Sequence, residues 1–527
     1  MPTTVRDAVF EVLRSHRVDR IFANPGSTEV DLLTDLPEHI EFVLALHEGS
    51  VLGMAAGHAI AAGVPAVALL HTTAGYGNAV GGLATARANR APMVLLVGQQ
   101  DRRHLDANPF LVGQLSGLAG DYPVAVEEPA RAQDVPGAVS RALHAAVVHR
   151  GPAVVVIPMN DWHEEVDAVR APAVRRLEIA RSVDDAEVAE ITAALEGATN
   201  PGIVLGPLVD DPDTWDAVAE LATTLDADVW QAAYSYRMGF DQTSPLFAGH
   251  LPPAREQLRA ALGRHDGVVV LGAHAGRQSL FPEGEFGGED VRVLVVTDDA
   301  DEAIGSDAEM ALLAPVGAVA RALAKGVTAR TPKERPARPV PAPIDVDAPG
   351  PISPATVFQA FAERLPAEST YFEESPSNRR DLLAQLPVRA PFGFLTAAMG
   401  GLGFAVPASV GVKMARPERP VVAIVGDGAS LYNVQALWSA QKYGVGVLFV
   451  VMSNGGYRVM DRLAHNAGAT PPWPAFEEIS LSTLAAGFGC PSLRIETTAE
   501  LIEALDEIVP TLGERTTPLV LDVAVAH

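Results

Sequence analysis

The chain has 527 residues, with 39 Lys and Arg against 65 Asp and Glu, a formal net charge of −26. A polyanion of this kind repels nucleic acid and anionic membranes as nonspecific partners, while leaving room for a local site for a small anion. At 48% hydrophobic and 20% charged residues the composition is globular, with length for three or four domains of roughly 150 residues each. Cys490 is the only cysteine, which excludes an intrachain disulfide and a cysteine zinc site. No basic-then-apolar signal pattern opens the sequence, and no apolar run approaches the ~20 residues of a bilayer span, so a cytoplasmic protein is expected.

Residues 4–16 place Val5, Ala8, Val9, Val12 and Leu13 on one helical stripe, with Thr3 or Thr4 as N-cap. A strand from Arg20 to Asn24 runs into Pro25-Gly26-Ser27. Another starts at Glu41 and is followed by a small-residue helix from Glu48 through Ala62. A third strand, from Ala66, ends at His71, with a helix from about Gly77; further strands fall at 92–97 and 153–158. Short apolar strands alternating with helices predict a parallel sheet covered on both faces, and residues 1–180 read as one α/β domain. Residues 181–330 repeat the pattern, with a helix at 184–195 and strands at 202–206, 268–272 and 291–296. Prolines recur among charged residues over 331–352, the composition of an exposed linker. Residues 353–527 form a third unit, with strands at 421–425 and 447–452 and a helix over 431–443. The fold class is α/β, in three domains with parallel sheets.

The sharpest motif is Gly426-Asp427-Gly428-Ala429-Ser430, which leaves a strand and opens a helix. Free backbone amides and the helix dipole make such a turn an anion site, and Asp427 adds a hard oxygen suited to magnesium or calcium. The next strand ends in Asn454-Gly455-Gly456. Both turns lie at carboxyl ends of strands, where open α/β sheets bind ligands. Asp427, Asn454 and the Gly456 carbonyl could together hold a metal that grips a diphosphate. A dinucleotide fingerprint fails because Leu431 stands where its third glycine belongs, and no P-loop is present. Gly-Asp-Gly alone is commonly a tight turn; the Asn-Gly pair after the following strand favours the ligand site.

These residues, with 25 positions between Gly428 and Asn454, resemble the diphosphate signature of thiamine-diphosphate-dependent enzymes. Asn24-Pro25-Gly26-Ser27, His47-Glu48-Gly49 and the stretch from His71 to Asn78 carry the same resemblance in the first domain. It covers the whole chain, lies within the pyruvate-decarboxylase-like superfamily, and is strongest to the benzoylformate decarboxylase branch. It implies three doubly wound parallel-sheet domains, in the order pyrimidine-binding, central and diphosphate-binding. Glu48 matches the carboxylate that protonates a pyrimidine nitrogen, and His71 matches a proton shuttle beside the substrate. Ser27 matches a serine touching the substrate carboxylate, although a helix cap is an equal reading. Leu402, after Gly400 and Gly401, matches the bulky residue over which the cofactor folds.

Ser375 and Ser377 lie in the loop that reaches the diphosphate, with Ser377 the better donor. Gly401, Gly426, Gly428, Ala429, Ser430, Asn454, Gly456 and Tyr457 complete the implied cofactor site. Phe110, Leu111, Met460 and Leu463 are implied pocket residues, and Arg458 beside them could bind a substrate anion. Ser279 aligns where the branch carries a second catalytic histidine. The implied cofactors are thiamine diphosphate and magnesium, with calcium an alternative. The implied reaction is non-oxidative decarboxylation of an aryl or branched 2-oxo acid, through ylid attack and an enamine. Because a hydroxyl is a weak acid, Ser279 raises carboligation with an aldehyde as an alternative; a cofactor-binding protein without turnover is the alternative of another class. The family's sites lie between subunits, so a homo-oligomer is expected, a dimer at least and a tetramer by family habit.

Overall fold

The computed structural model describes residues 3–166, 177–180, 182–278, 284–288, 290–336, 338 and 340–526. Helix α1 (Val5–Ser15) is closed by a capping box: the Thr4 hydroxyl accepts from the Asp7 N–H, and the Asp7 carboxylate accepts from the Thr4 N–H. The first domain holds strands β1 (Arg20–Asn24), β2 (Glu41–Leu44), β3 (Ala66–His71), β4 (Met93–Gln99), β5 (Ala125–Glu127) and β6 (Pro152–Pro158). Helices α2 (Glu48–Ala62) and α3 (Thr72–Ala88) flank β3 in sequence. The central domain holds β7 (Pro201–Leu205), β8 (Asp228–Gln231), β9 (Phe247–His250), β10 (Gly267–Leu271), β11 (Arg292–Thr297) and β12 (Met310–Leu313). In the third domain lie β13 (Thr370–Glu374), β14 (Phe394–Thr396), helix α4 (Ala405–Ala415), β15 (Val421–Gly426), β16 (Leu448–Ser453), helix α5 (Arg458–Asn466), β17 (Ser492–Ile495) and β18 (Leu519–Ala524).

The sheets run β2-β1-β3-β4-β6-β5, β12-β11-β10-β7-β8-β9 and β14-β13-β15-β16-β18-β17, with every pairing parallel. The first and third sheets repeat one strand order. The central sheet reverses direction at β7, as a doubly wound sheet does. Every residue of β4 and β6 is buried, which is why these strands read as unbroken apolar runs rather than alternating ones.

The first and third domains meet through α2 and α4. A Cβ on Gly57 would lie 2.0 Å from the Ala408 carbonyl oxygen, and one on Gly411 would lie 2.0 Å from that of Met54. The two helix backbones therefore touch, and only glycine fits at these crossing points. This contact explains the small-residue composition of the helix that starts at Glu48.

Two expected elements differ. The helix expected from about Gly77 begins at Thr72, directly after β3. The helix expected over 431–443 is broken into one turn at Asp427–Ser430, a 3-10 turn at Leu431–Asn433 and a helix at Ala436–Lys442. At the break the Asn433 side chain donates to the Gly403 carbonyl at 2.6 Å, tying this segment to a neighbouring loop. Among the described residues of 331–352 the one regular pairing is a bridge from Ile352 to Val525, and Arg335 anchors the segment on Asp226 of the central domain.

Asp210, just beyond β7, joins the central domain to the third: its Oδ1 accepts from the Phe392 N–H at 2.6 Å, while its Oδ2 is buried without a partner. Burial pushes this carboxyl up to about 6. The native state thus binds a proton that the unfolded chain releases near its ordinary value. The stabilisation is complete below that ordinary value and is lost as pH rises through about 6. Asp210→Asn keeps the acceptor for Phe392. It is expected to match the parent in thermal melts below about pH 4 and to exceed it at neutral pH by up to about 3 kcal/mol. Equal stability at neutral pH would contradict this.

Candidate active site

Two sheet edges carry the candidate site residues. In the first domain, the turn after β1 folds Glu29 back beneath His71, the last residue of β3. Glu29 is 1% exposed, and its Oε2 lies 3.1 Å from His71 Nδ1 and accepts from the Gly26 N–H at 2.7 Å. Thr28 Oγ1 lies 2.9 Å from the same ring nitrogen. With a carboxylate as its neighbour, Nδ1 carries the proton, and Nε2 is the ring atom left for chemistry. A Cβ on Gly98 of β4 would lie 1.8 Å from Glu29 Oε1, so the glycine is what admits the carboxylate behind the ring. Thr72, next after His71, takes φ +25°, an unusual backbone that belongs to the abrupt turn from strand into helix. Ser27 is exposed at the tip of the same turn.

Glu48 opens α2. His47 caps this helix through Nδ1, which accepts from the Gly49 N–H at 3.0 Å. The Glu48 side chain is buried, and each oxygen has its own neutral donor: Oε1 takes Asn24 Nδ2 at 2.9 Å and Oε2 takes Asn78 Nδ2 at 3.2 Å. Asn24 ends β1 and Asn78 lies on α3, so the carboxyl is held between two elements without a cation. The two amides, one on each oxygen, fix the orientation of the carboxyl.

In the third domain, β15 delivers Asp427 to the edge. Its Oδ2 accepts from the Asn454 N–H at 2.8 Å and the Gly455 N–H at 2.7 Å, and its Oδ1 accepts from the Gly428 N–H at 2.7 Å. One carboxylate thus ties the end of β15 to the loop after β16. Burial raises the Asp427 carboxyl above its usual range, against the backbone donors that lower it. Asn454 Oδ1 accepts from the Gly456 N–H at 3.2 Å. Ser375 follows β13, level with Gly426 across the sheet; it is buried and its hydroxyl has no partner.

The Ser377 oxygen accepts from the Val459 N–H at 3.1 Å, at the start of α5, which leaves its O–H available as a donor. Tyr457 packs edge-to-face on Phe476, with ring centroids 5.1 Å apart. Leu402 is half-buried in the loop before α4, with Gly401 exposed beside it. Arg458 donates to the Asn454 carbonyl at 3.0 Å, so its guanidinium stands over the loop after β16. No residue of α5 is buried, and Met460 and Leu463 face outward. Phe110 is 88% exposed and Leu111 partly so. Ser279 lies outside the described residues.

A diphosphate with a divalent cation fits these residues. The donors are hard oxygens, and the buried Ser375 hydroxyl offers a phosphate oxygen an uncommitted donor. Among the described residues no cluster of three His, Cys, Asp or Glu could hold a metal, so a cation at Asp427 must take its other ligands from amide, carbonyl and phosphate oxygens. Sequence reasoning missed Thr28 and Glu29, because Pro-Gly-Ser-Thr-Glu looks like an ordinary turn before a helix. Asn24 and Asn78 belong to the quoted motifs, but only the fold shows both amides on Glu48.

The family description "Thiamine pyrophosphate enzyme, N-terminal TPP binding domain" matches residues 3–117; the central-domain and C-terminal TPP-binding-domain descriptions match 188–323 and 379–523. The chain is 35% identical over 513 residues to benzoylformate decarboxylase of Pseudomonas aeruginosa, covering 95% of this chain and 96% of that protein. A thiamine diphosphate-dependent 4-hydroxybenzoylformate decarboxylase of Rhodococcus jostii RHA1 superposes with a TM-score of 0.92 at 31% identity, over 99% of both chains. Benzoylformate decarboxylase of Polynucleobacter necessarius does so with a TM-score of 0.94 at 29% identity, over 99% of this chain and 98% of that one.

Proposed function

We propose, starting from the fact that this chain belongs to the thiamine pyrophosphate enzyme family, that it decarboxylates an aryl or branched 2-oxo acid without oxidation. The 2-oxo carboxylate and one proton give an aldehyde and carbon dioxide. The observation that carries this reading is that the chain has a held acid and a held imidazole, Glu48 and His71, in addition to a diphosphate cradle. Binding alone needs neither.

When bound, thiamine diphosphate supplies a nucleophilic carbon and a sink for the electrons of the breaking C–C bond. Asp427, the Asn454 amide oxygen and the Gly456 carbonyl would hold magnesium, or calcium, against the diphosphate, with the Ser375 hydroxyl donating to it. Glu48 would exchange a proton with a ring nitrogen of the bound cofactor, with Asn24 and Asn78 fixing its orientation. Ser27 donates to the substrate carboxylate. His71 gives a proton from Nε2 to the carbon that loses carbon dioxide, with Glu29, behind Nδ1, holding the ring in place. The outward side chains of Phe110, Met460 and Leu463 support a pocket wall completed by a second copy, hence a homo-oligomer, a dimer at least and a tetramer by family habit. No helix among the described residues is long and apolar enough to cross a membrane, and we place the protein in the cytoplasm.

The test is carbon dioxide and aldehyde release from a panel of 2-oxo acids, benzoylformate included, with and without thiamine diphosphate and magnesium. Cofactor-dependent release with stoichiometric aldehyde is expected; no release from any acid would overturn the reading. A second reading, carboligation, rests on Ser279 in place of the branch's second histidine. It predicts a 2-hydroxy ketone when an acceptor aldehyde is added, with little free aldehyde released.

A further inference from the structure

The loop that carries Leu402 spans 397–404, between β14 and α4. Its apex is exposed at Met399, Gly400 and Gly401, and a Cβ on Gly400 would have nothing within 4 Å. Its one internal backbone bond runs from the Gly400 N–H to the Ala397 carbonyl at 2.9 Å. The position of Leu402 is therefore set where the loop begins and where it ends.

At its start, Asn89 of the first domain, fully buried, donates to the Thr396 carbonyl at 2.8 Å and accepts from the Ala398 N–H at 2.9 Å. At its end, Glu374, the last residue of β13, accepts three backbone amides. Gly403 N–H reaches Oε1 at 2.6 Å, while Phe404 and Ala405 N–H reach Oε2 at 2.8 and 2.7 Å. The Gly403 carbonyl is held as well, by Asn433, so its peptide is fixed on both sides at φ +96°.

Glu374 is 4% exposed and has no cationic hydrogen-bond partner among the described residues. A buried carboxylate is costly, and a local Ser or Asp could cap α4 with less. What a local cap cannot do is tie Gly403 to the end of a neighbouring strand, β13, of the sheet. An ionised carboxylate is acceptor-only, and it alone among side chains can take three amides across two oxygens.

We propose that Glu374, with Asn89 at the other end, is a positioning residue for Leu402. It holds the loop in its working shape before the cofactor arrives. The proposal rests on the reading of Leu402 as the residue over which the cofactor folds.

The first test needs no cofactor: hydrogen exchange of the full chain, parent against Glu374→Gln. The glutamine keeps one accepting oxygen and puts an N–H₂ in place of the other, so either the Gly403 amide or the Phe404 and Ala405 pair loses its acceptor and should exchange at least ~30-fold faster, while amides later in α4 keep their protection. The second is titration with thiamine diphosphate and magnesium, followed by protein fluorescence. Glu374→Gln should weaken binding ~10-fold or more. Combined with Leu402→Ala, it should bind no more weakly than the worse single variant, since both changes remove one function. Unchanged exchange, unchanged affinity or additive losses would each overturn the proposal. If Glu374→Gln does not fold, Asn89→Ala is read in the same way through the Ala398 amide. Failure of the parent itself to bind the cofactor would count against the functional reading, because the exchange measurement reads the anchor independently.

Discussion

Glu48→Gln is expected to lower turnover by about two to four orders of magnitude, the usual span for a removed general acid or base, while leaving the melting temperature within a few degrees. The reason for the split lies in the two neighbours. Asn24 and Asn78 each give one N–H to a Glu48 oxygen, and a glutamine of the same length keeps one of those bonds. Either asparagine can turn its amide to meet the new N–H₂, so packing survives. What glutamine cannot do is hold and release a proton. Steady-state turnover beside a thermal melt checks this, and near-parental turnover would remove Glu48 from the mechanism.

Asp427→Ala is expected to weaken joint binding of thiamine diphosphate and magnesium by at least ~100-fold, about 2.7 kcal/mol. Two losses combine. The anionic ligand for the cation disappears, and the amides of Gly428, Asn454 and Gly455 lose their shared acceptor. Each stranded amide costs about 1–3 kcal/mol unless water or movement satisfies it, so the loop carrying Asn454 should shift as well. In the parent, a cation binds the ionised carboxylate, whose proton burial retains above the usual range. Cation affinity should therefore fall as pH drops through that raised value, and the variant should lose this dependence. Calorimetric titration at several pH values reads both effects. Retained, pH-dependent affinity in Asp427→Ala would place the metal elsewhere.

Much of the edge chemistry was legible because it sits on local signals. A buried parallel strand is an apolar run, and its carboxyl end is marked by the first polar residues after it: Asn24, His71, Asp427 and Asn454 all stand there. The adjacent acids Glu373-Glu374 at the end of an otherwise uncharged strand were a signal too, since two carboxylates in a buried strand must each find partners. Glu373 finds Arg379 and the Ser375 N–H, whereas Glu374 finds the Leu402 loop.

The amino-acid sequence by itself determined the α/β class, the alternation of strands and helices and the turns of the candidate diphosphate site, because hydrophobic period and glycine placement act over a few residues. Tertiary structure decided the partners. Glu29 reaches His71 across 42 positions, Asn89 reaches Ala398 across 309, and Asp427 selects the amides after β16. It also decided that the Ser375 hydroxyl is buried without a partner while the Ser377 oxygen accepts from the first turn of α5. Contacts of this kind follow from how strands order themselves within a sheet and how closely two small-residue helices approach, and no local pattern carries that information.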